Sequence, residues 1–174
     1  MPEDRLKEGL FLPQSINNNI AAKIIDLLKT KLGFLDHKKK VDLASEWIER
    51  LDIKTPHGEL PASSLSGGNQ QRLVIAKWLA FNPKVLILNG PTVGVDVGSK
   101  AAIHDLILNL AKDGMGIILM SDDIPELMHT CNRILLMHRG RIVEEFERES
   151  TNEDDLNTKL IAGDRNENQK RQVE

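Results

Sequence analysis

The chain has 174 residues, with 23 Lys and Arg against 26 Asp and Glu, a net charge of -3, 40% hydrophobic residues and only 3% aromatic ones. That is enough for one cored domain and too little for two large ones. The near-neutral charge supplies no positive field for a phosphate backbone, and four Phe, two Trp and no Tyr leave few platforms for bases, which argues against a nucleic-acid partner. The single cysteine, Cys131, cannot form an internal disulfide, and the first ten residues are charged where a secretion signal needs an apolar run. No apolar stretch reaches the roughly 18 residues of a membrane span. These features predict a cytoplasmic protein.

In chain order, residues 1–12 read as a loop-like lead-in. SINNNIAAKIIDLLKTKLGF follows, with Ser15 as N-cap and Ile16, Ile20, Ile24, Leu27, Leu28 and Leu32 near helical spacing. A second amphipathic helix, HKKKVDLASEWIERLDI, is expected to bury Val41, Leu43, Trp47, Ile48 and Leu51 and to leave the Lys38, Lys39 and Lys40 run on a solvated face. Residues 13–65 therefore read as a helical subdomain with no strand. The pattern then changes to a helix in GNQQRLVIAKWLAF, an apolar run KVLIL, a helix in KAAIHDLILNLAKDG and a second apolar run GIILM. Helix, strand, helix, strand with short connections predicts an α/β fold with a parallel sheet over 66–150. RILLMHR and RIVEEFE around Gly140 predict a closing hairpin, 151–162 a short helix and 163–174 a polar disordered tail.

Leu65, Ser66, Gly67, Gly68, Asn69, Gln70, Gln71 and Arg72 directly precede a predicted helix. Two glycines after a serine let the backbone turn tightly, so that the first-turn N–H groups and the Ser66 hydroxyl face whatever lies in front of them. An anion such as a terminal phosphate suits that arrangement. A plain capped turn is the competing reading of the triplet alone.

The longer stretch LSGGNQQRLVIAKWLAFNPKVLILNGPTVGVDVG, with Pro91, Thr92 and Asp96 following the strand, resembles the ATP-binding cassette proteins. Its LSGGNQQ form is similar to the second ATPase module of the tandem ATPase subunit of monosaccharide importers of the ribose and galactose type. MPEDRLKEGLFLPQSINNNI resembles that family's stretch around the Q-loop, and ILMSDDIPELMHTCNRILLMHRGRI its segment around the switch histidine and the closing hairpin. The resemblance implies the C-terminal part of a RecA-like P-loop NTPase sheet with an all-helical signature subdomain. It also implies ATP and Mg²⁺ as cofactors, another ATPase module and a membrane permease as partners, and a peripheral position on the cytoplasmic face of the membrane.

Carried over by position, Ser66, Gly67, Gly68 and Gln70 match the group that meets nucleotide in trans, Asp96 the loop crossing between modules, and Glu3 the Q-loop position of a Q-loop remnant over 1–12. Asn89 and Gly90 stand where the family has Asp and Glu, and Asp122 stands at the switch histidine. An amide brings no charge to balance Mg²⁺, glycine offers no base, and a carboxylate at 122 repels phosphate. Glu59 falls in the region through which such modules touch the membrane subunit, or is a solvated loop residue. No G-x-x-x-x-G-K-[ST] occurs in the sequence. Gly94, Gly98, Ser99 and Lys100 approximate it with wrong spacing and wrong order, and read better as a turn and helix start. His129, Cys131 and His138 straddle a helix end and a strand without a second cysteine, which argues against a metal site. Asp122, Asp123 and Glu126 read as first-turn acids rather than as a cation site.

The expectation is a partial, degenerate module, beginning before the Q-loop, that presents LSGG to a nucleotide held elsewhere and neither grips nor hydrolyses ATP alone. A non-enzymatic interaction protein, or the remnant of an interrupted reading frame, is the alternative. An uncovered sheet edge would favour self-association.

Overall fold

The two apolar runs are strands β1 (Val85–Asn89) and β2 (Gly116–Met120) in a computed structural model, which describes residues 1–160. They pair in parallel, Val85 opposite Gly116 and Asn89 opposite Met120. A parallel pair needs a crossover, supplied here by α4 (Val97–Lys112), whose Ile103, Ile107 and Leu110 are buried. Alternation along β1 buries Leu86 and Leu88 and exposes Val85 and Ile87.

Ahead of β1 come α1 (Ile16–Ala21), α2 (His37–Arg50) and α3 (Gly67–Leu79). One continuous core joins Ile16 and Ile20 of α1, Ala44 and Trp47 of α2, Leu73, Val74, Ile75 and Leu79 of α3, and the inward residues of β1 and α4. Helix α3 is buried around most of its circumference, which is why LVIAKWL reads as an apolar block rather than a stripe. Three polar side chains, Gln70, Gln71 and Lys77, are buried on it. Lys77 donates to Gly9 O at 2.9 Å and sits 4.8 Å over the Phe11 ring, and burial lowers its pKa. Gln71 lies among the apolar residues. Asn19, fully buried on α1, accepts from Phe11 N–H at 2.8 Å and donates to Phe11 O and Ser15 O, both at 3.0 Å, fixing the lead-in to the helix.

Several sequence expectations change. The lead-in is not a plain loop: Asp4 accepts from Leu6 and Lys7 N–H and starts a π-type turn over Arg5–Gly9. The helix expected through residue 34 stops at Ala21 and resumes as a 3₁₀ turn over Ile25–Leu28, followed by a bend in which Gly33 takes φ +83°. β-Branched Ile24 and Ile25, then Thr30 and Gly33, disfavour continuation. The broken path lets Ala21, Ile24 and Leu28 pack into a small satellite core with Leu35 and Leu43 beside them. Leu27 and Leu32, assigned to the helix stripe, are 74% and 84% exposed. On α2, Val41 is exposed and its place inside is taken by Lys40, whose Nζ donates to Asn18 Oδ1 at 2.9 Å. The lysine run is therefore not wholly a solvated face.

Residues Met1–Met120 form one compact unit and a second begins at Ser121. The second holds α5 (Ile124–Thr130), capped by Asp123, and an antiparallel hairpin of β3 (Arg133–His138) and β4 (Arg141–Glu147). Arg139 and Gly140 both take positive φ, the requirement of a tight two-residue hairpin turn. Helix resumes over residues 153–160, and the remainder of the closing helix and the tail expected over 163–174 lie outside the described residues. No helix among the described residues is long and apolar enough to cross a membrane.

These differences set a test by denaturant unfolding. Ile20→Ala is expected to cost about 2–5 kcal/mol and Leu32→Ala less than about 0.5 kcal/mol. A continuous helix through 34, with Leu32 in its buried stripe, would make both substitutions costly.

Candidate functional site

Ser66 is the N-cap residue of α3, with Gly67 and Gly68 opening the helix. The first-turn amides of a helix have no intrahelical acceptor, so they point outward as donors. Ser66 is exposed and its side chain does not cap the helix; its Oγ instead accepts from Asn69 Nδ2 at 3.0 Å. The glycines also serve packing. A Cβ on Gly67 would lie 3.1 Å from the Arg5 guanidinium, and one on Gly68 would collide with Oγ of Ser99 and lie 2.7 Å from its Cβ.

Arg5 holds the neighbouring loop by donating to Val93 O at 2.7 Å and Gly94 O at 2.9 Å. Its positive charge thus lies beside the turn that opens α3. Asp96 caps α4, accepting from Ser99 N–H at 2.9 Å and Ser99 Oγ at 2.8 Å. Those bonds, the backbone one first, hold its carboxyl below the usual range. With that carboxylate on the helix start, the glycine-rich approximation at 94–100 forms a capped helix entry and no phosphate cradle.

Gln70 departs from the expected group. It is buried, and its amide points to Ala62 O at 3.5 Å rather than lining the exposed turn. Glu59 is also tied down, accepting from Asn17 Nδ2 at 2.7 Å.

Glu3, Asn89 and Gly90 gather in a separate place. Gly90 takes φ +54° and donates to Met120 O at 2.9 Å, and a Cβ on it would lie 3.0 Å from Glu3 Cγ. Glu3 and Asn89 line a cleft of about 560 Å³ with Asp4, Arg5, Glu8 and Val93. Asp122 lies in the second unit, exposed, one residue before the Asp123 cap.

The donor set does not fit a resident Mg²⁺. Among the described residues no three His, Cys, Asp or Glu converge as a metal cluster, Asp4 is committed to capping, and Asn89 and Gly90 bring no carboxylate. An anion suits the α3 turn better, where outward amides, a serine hydroxyl and Arg5 converge. The contacts that Arg5, Asn69 and Ser99 make at this turn were not read from the sequence. The spacing of Ser66 and Asn69, one helical turn apart, was the available signal for one of them; the other two lie far from α3 in sequence.

The profile of the ABC transporter family matches residues 5–93, and the chain belongs to that family. It is 46% identical over 152 residues to ribose import ATP-binding protein RbsA of Bacillus subtilis strain 168, covering 87% of this chain and 31% of the relative. It is 43% identical over 162 residues to xylose import ATP-binding protein XylG of Geobacillus kaustophilus, covering 92% and 32% respectively. The chain thus spans about a third of the length of these relatives. Its fold is similar to the ATP-binding cassette MJ0796 in a dimeric post-hydrolysis state bound to ADP and Pi, with a TM-score of 0.66 and 23% identity over 82% of this chain and 60% of that one. The α/β, RecA-like fold expected from the sequence is the fold of these cassettes.

Two outcomes check the packing. Gly68→Ala should destabilise by about 1–3 kcal/mol, and a double-mutant cycle with Ser99→Gly should show offsetting coupling above about 1 kcal/mol in thermal melts. Asp96, with a folded pKa below its unfolded one, adds stability that is complete above the unfolded value and lost as pH falls through the folded one. Asp96→Asn should therefore flatten the loss of stability below about pH 4. Asp4, Asp36 and Asp52 are held low in the same direction and contribute to that loss.

Proposed function

We propose that the chain acts in the ATP-binding component of a sugar importer as the signature side of an ATP sandwich. The Ser66 hydroxyl and the amides of Gly67 and Gly68 meet the terminal phosphate of ATP held by a phosphate loop lying outside these 174 residues. The observation that carries this is the exposed Ser66 at the glycine-bare start of a helix whose body is buried. An N-terminus so fixed presents its donors without reorganisation. The names of the ribose and xylose import relatives support the substrate class.

In this reading residues 13–65 are the helical subdomain, the region around Glu59 faces a membrane permease, and 66–150 belong to the RecA-like part. Asp96 sits at the crossing between modules, Glu3 at the Q-loop position and Asp122 at the switch position. Gln70 supports the loop from inside instead of touching nucleotide. Mg²⁺ and the hydrolytic groups come from the other module, because Asn89 and Gly90 offer neither a charge for the ion nor a base for water. The assembled protein is peripheral on the cytoplasmic face of the membrane.

The test mixes the chain with a separately purified complete cassette of a sugar importer and follows association by analytical ultracentrifugation. Association should require ATP and Mg²⁺ and be abolished by Ser66→Arg. Association indifferent to ATP, or unchanged by Ser66→Arg, defeats this reading and favours an interaction protein. Micromolar binding of a fluorescent ATP analogue to the chain alone would also defeat it.

A further inference from the structure

We infer that Asn69 is a positioning residue that fixes the Ser66 hydroxyl as a hydrogen-bond donor to an anionic ligand. The inference rests on the proposed role of Ser66 and adds the device that gives its hydroxyl a direction. A serine hydroxyl can donate or accept, and its proton rotates to suit its surroundings. An anion at the opening of α3 is served only when that proton points outward.

The bonding around Asn69 removes the ambiguity. The backbone N–H of Lys54 can only donate, and it lies 2.9 Å from Asn69 Oδ1. The carboxamide oxygen therefore faces Lys54, and the NH₂ group must face the other way, where Ser66 Oγ lies at 3.0 Å. An NH₂ group can only donate, so Ser66 Oγ must accept. The serine proton is left without an acceptor among the described residues and is available to a ligand in front of the turn.

Lys54 is itself held in place. It comes two residues after Asp52, which takes φ +51°, and Arg72 donates to Asp52 O at 2.6 Å and Leu51 O at 3.3 Å. The end of α2 thus sets the orientation of the Asn69 amide, and the amide sets the polarity of Ser66. Ser66 accordingly favours a ligand oxygen that accepts, such as a terminal phosphoryl oxygen, over a ligand that donates.

Asn69→Asp isolates this role. The carboxylate still accepts from Lys54 N–H, so local geometry is retained, but its second oxygen now accepts from Ser66 and turns the serine proton inward. Using ATP and Mg²⁺ with the complete partner cassette, Ser66→Ala and Asn69→Asp should each weaken ATP-dependent association about ten-fold. In the Ser66→Ala background, Asn69→Asp should add less than about two-fold. An equal loss in both backgrounds means the new charge acts directly on the nucleotide and overturns the inference. A loss for Ser66→Ala with none for Asn69→Asp overturns it too, while leaving the proposed function standing.

A second measurement needs no partner. In the ¹⁵N spectrum of the whole chain, Ser66→Ala should shift the Asn69 side-chain NH₂ pair and leave the Lys54 backbone amide in place. An unmoved NH₂ pair overturns the inference. If the unsubstituted chain shows no ATP-dependent association, the proposed function fails and the anionic ligand named here fails with it, whatever the spectrum shows.

Discussion

The first unit depends on the burial of α3 around most of its circumference. Its apolar residues meet α1, α2, β1 and α4 in one core, so this helix has little freedom to tilt or slide. Polar attachments complete the restraint. Lys77 reaches back to Gly9, and Arg72 closes on the end of α2. A helix gripped along its body delivers its N-terminus to a defined point, and that is what turns an ordinary Ser-Gly-Gly turn into a stable set of outward donors.

Packing and chemistry converge on the same glycines. Side chains at 67 and 68 would run into Arg5 and Ser99, so residues from the lead-in and from α4 close around the opening of α3. Arg5 is the common element. It clamps the loop after β1 through two carbonyl oxygens, lies against the turn that opens α3 and also lines the cleft of Glu3 and Asn89. A movement of the lead-in would consequently be felt at the loop and at the turn together.

The parallel β–α–β unit was legible because KVLIL and GIILM are short apolar runs separated by one helix-length amphipathic segment, a pattern with few alternatives. The N-cap Ser15 and the helix start near residues 94–100 were legible for the same local reason, whereas the capping role of Asp96 came only with the structure. Residues 15–34 were not, since Leu27 and Leu32 satisfy helical spacing while β-branched and turn-forming neighbours break the path. Lys40 and Gln70 show another limit, because a polar residue goes inside when a distant partner, here Asn18 or Ala62, meets its hydrogen bond. The closeness of Arg5 and Ser99 to Gly67 and Gly68 joins segments that local pattern cannot connect. The serine and two glycines that open α3 were legible through the motif, whereas the orientation of each side chain was set by tertiary neighbours.

Gly90 couples its own position to two others. Its φ of +54° lies in the left-handed region that favours glycine, and the space a side chain would need is occupied by Val93 Cγ2 at 2.9 Å and Glu3 Cγ at 3.0 Å. A glutamate at this position would meet two resident side chains at once, so a larger residue at 90 requires Glu3 and Val93 to give way together.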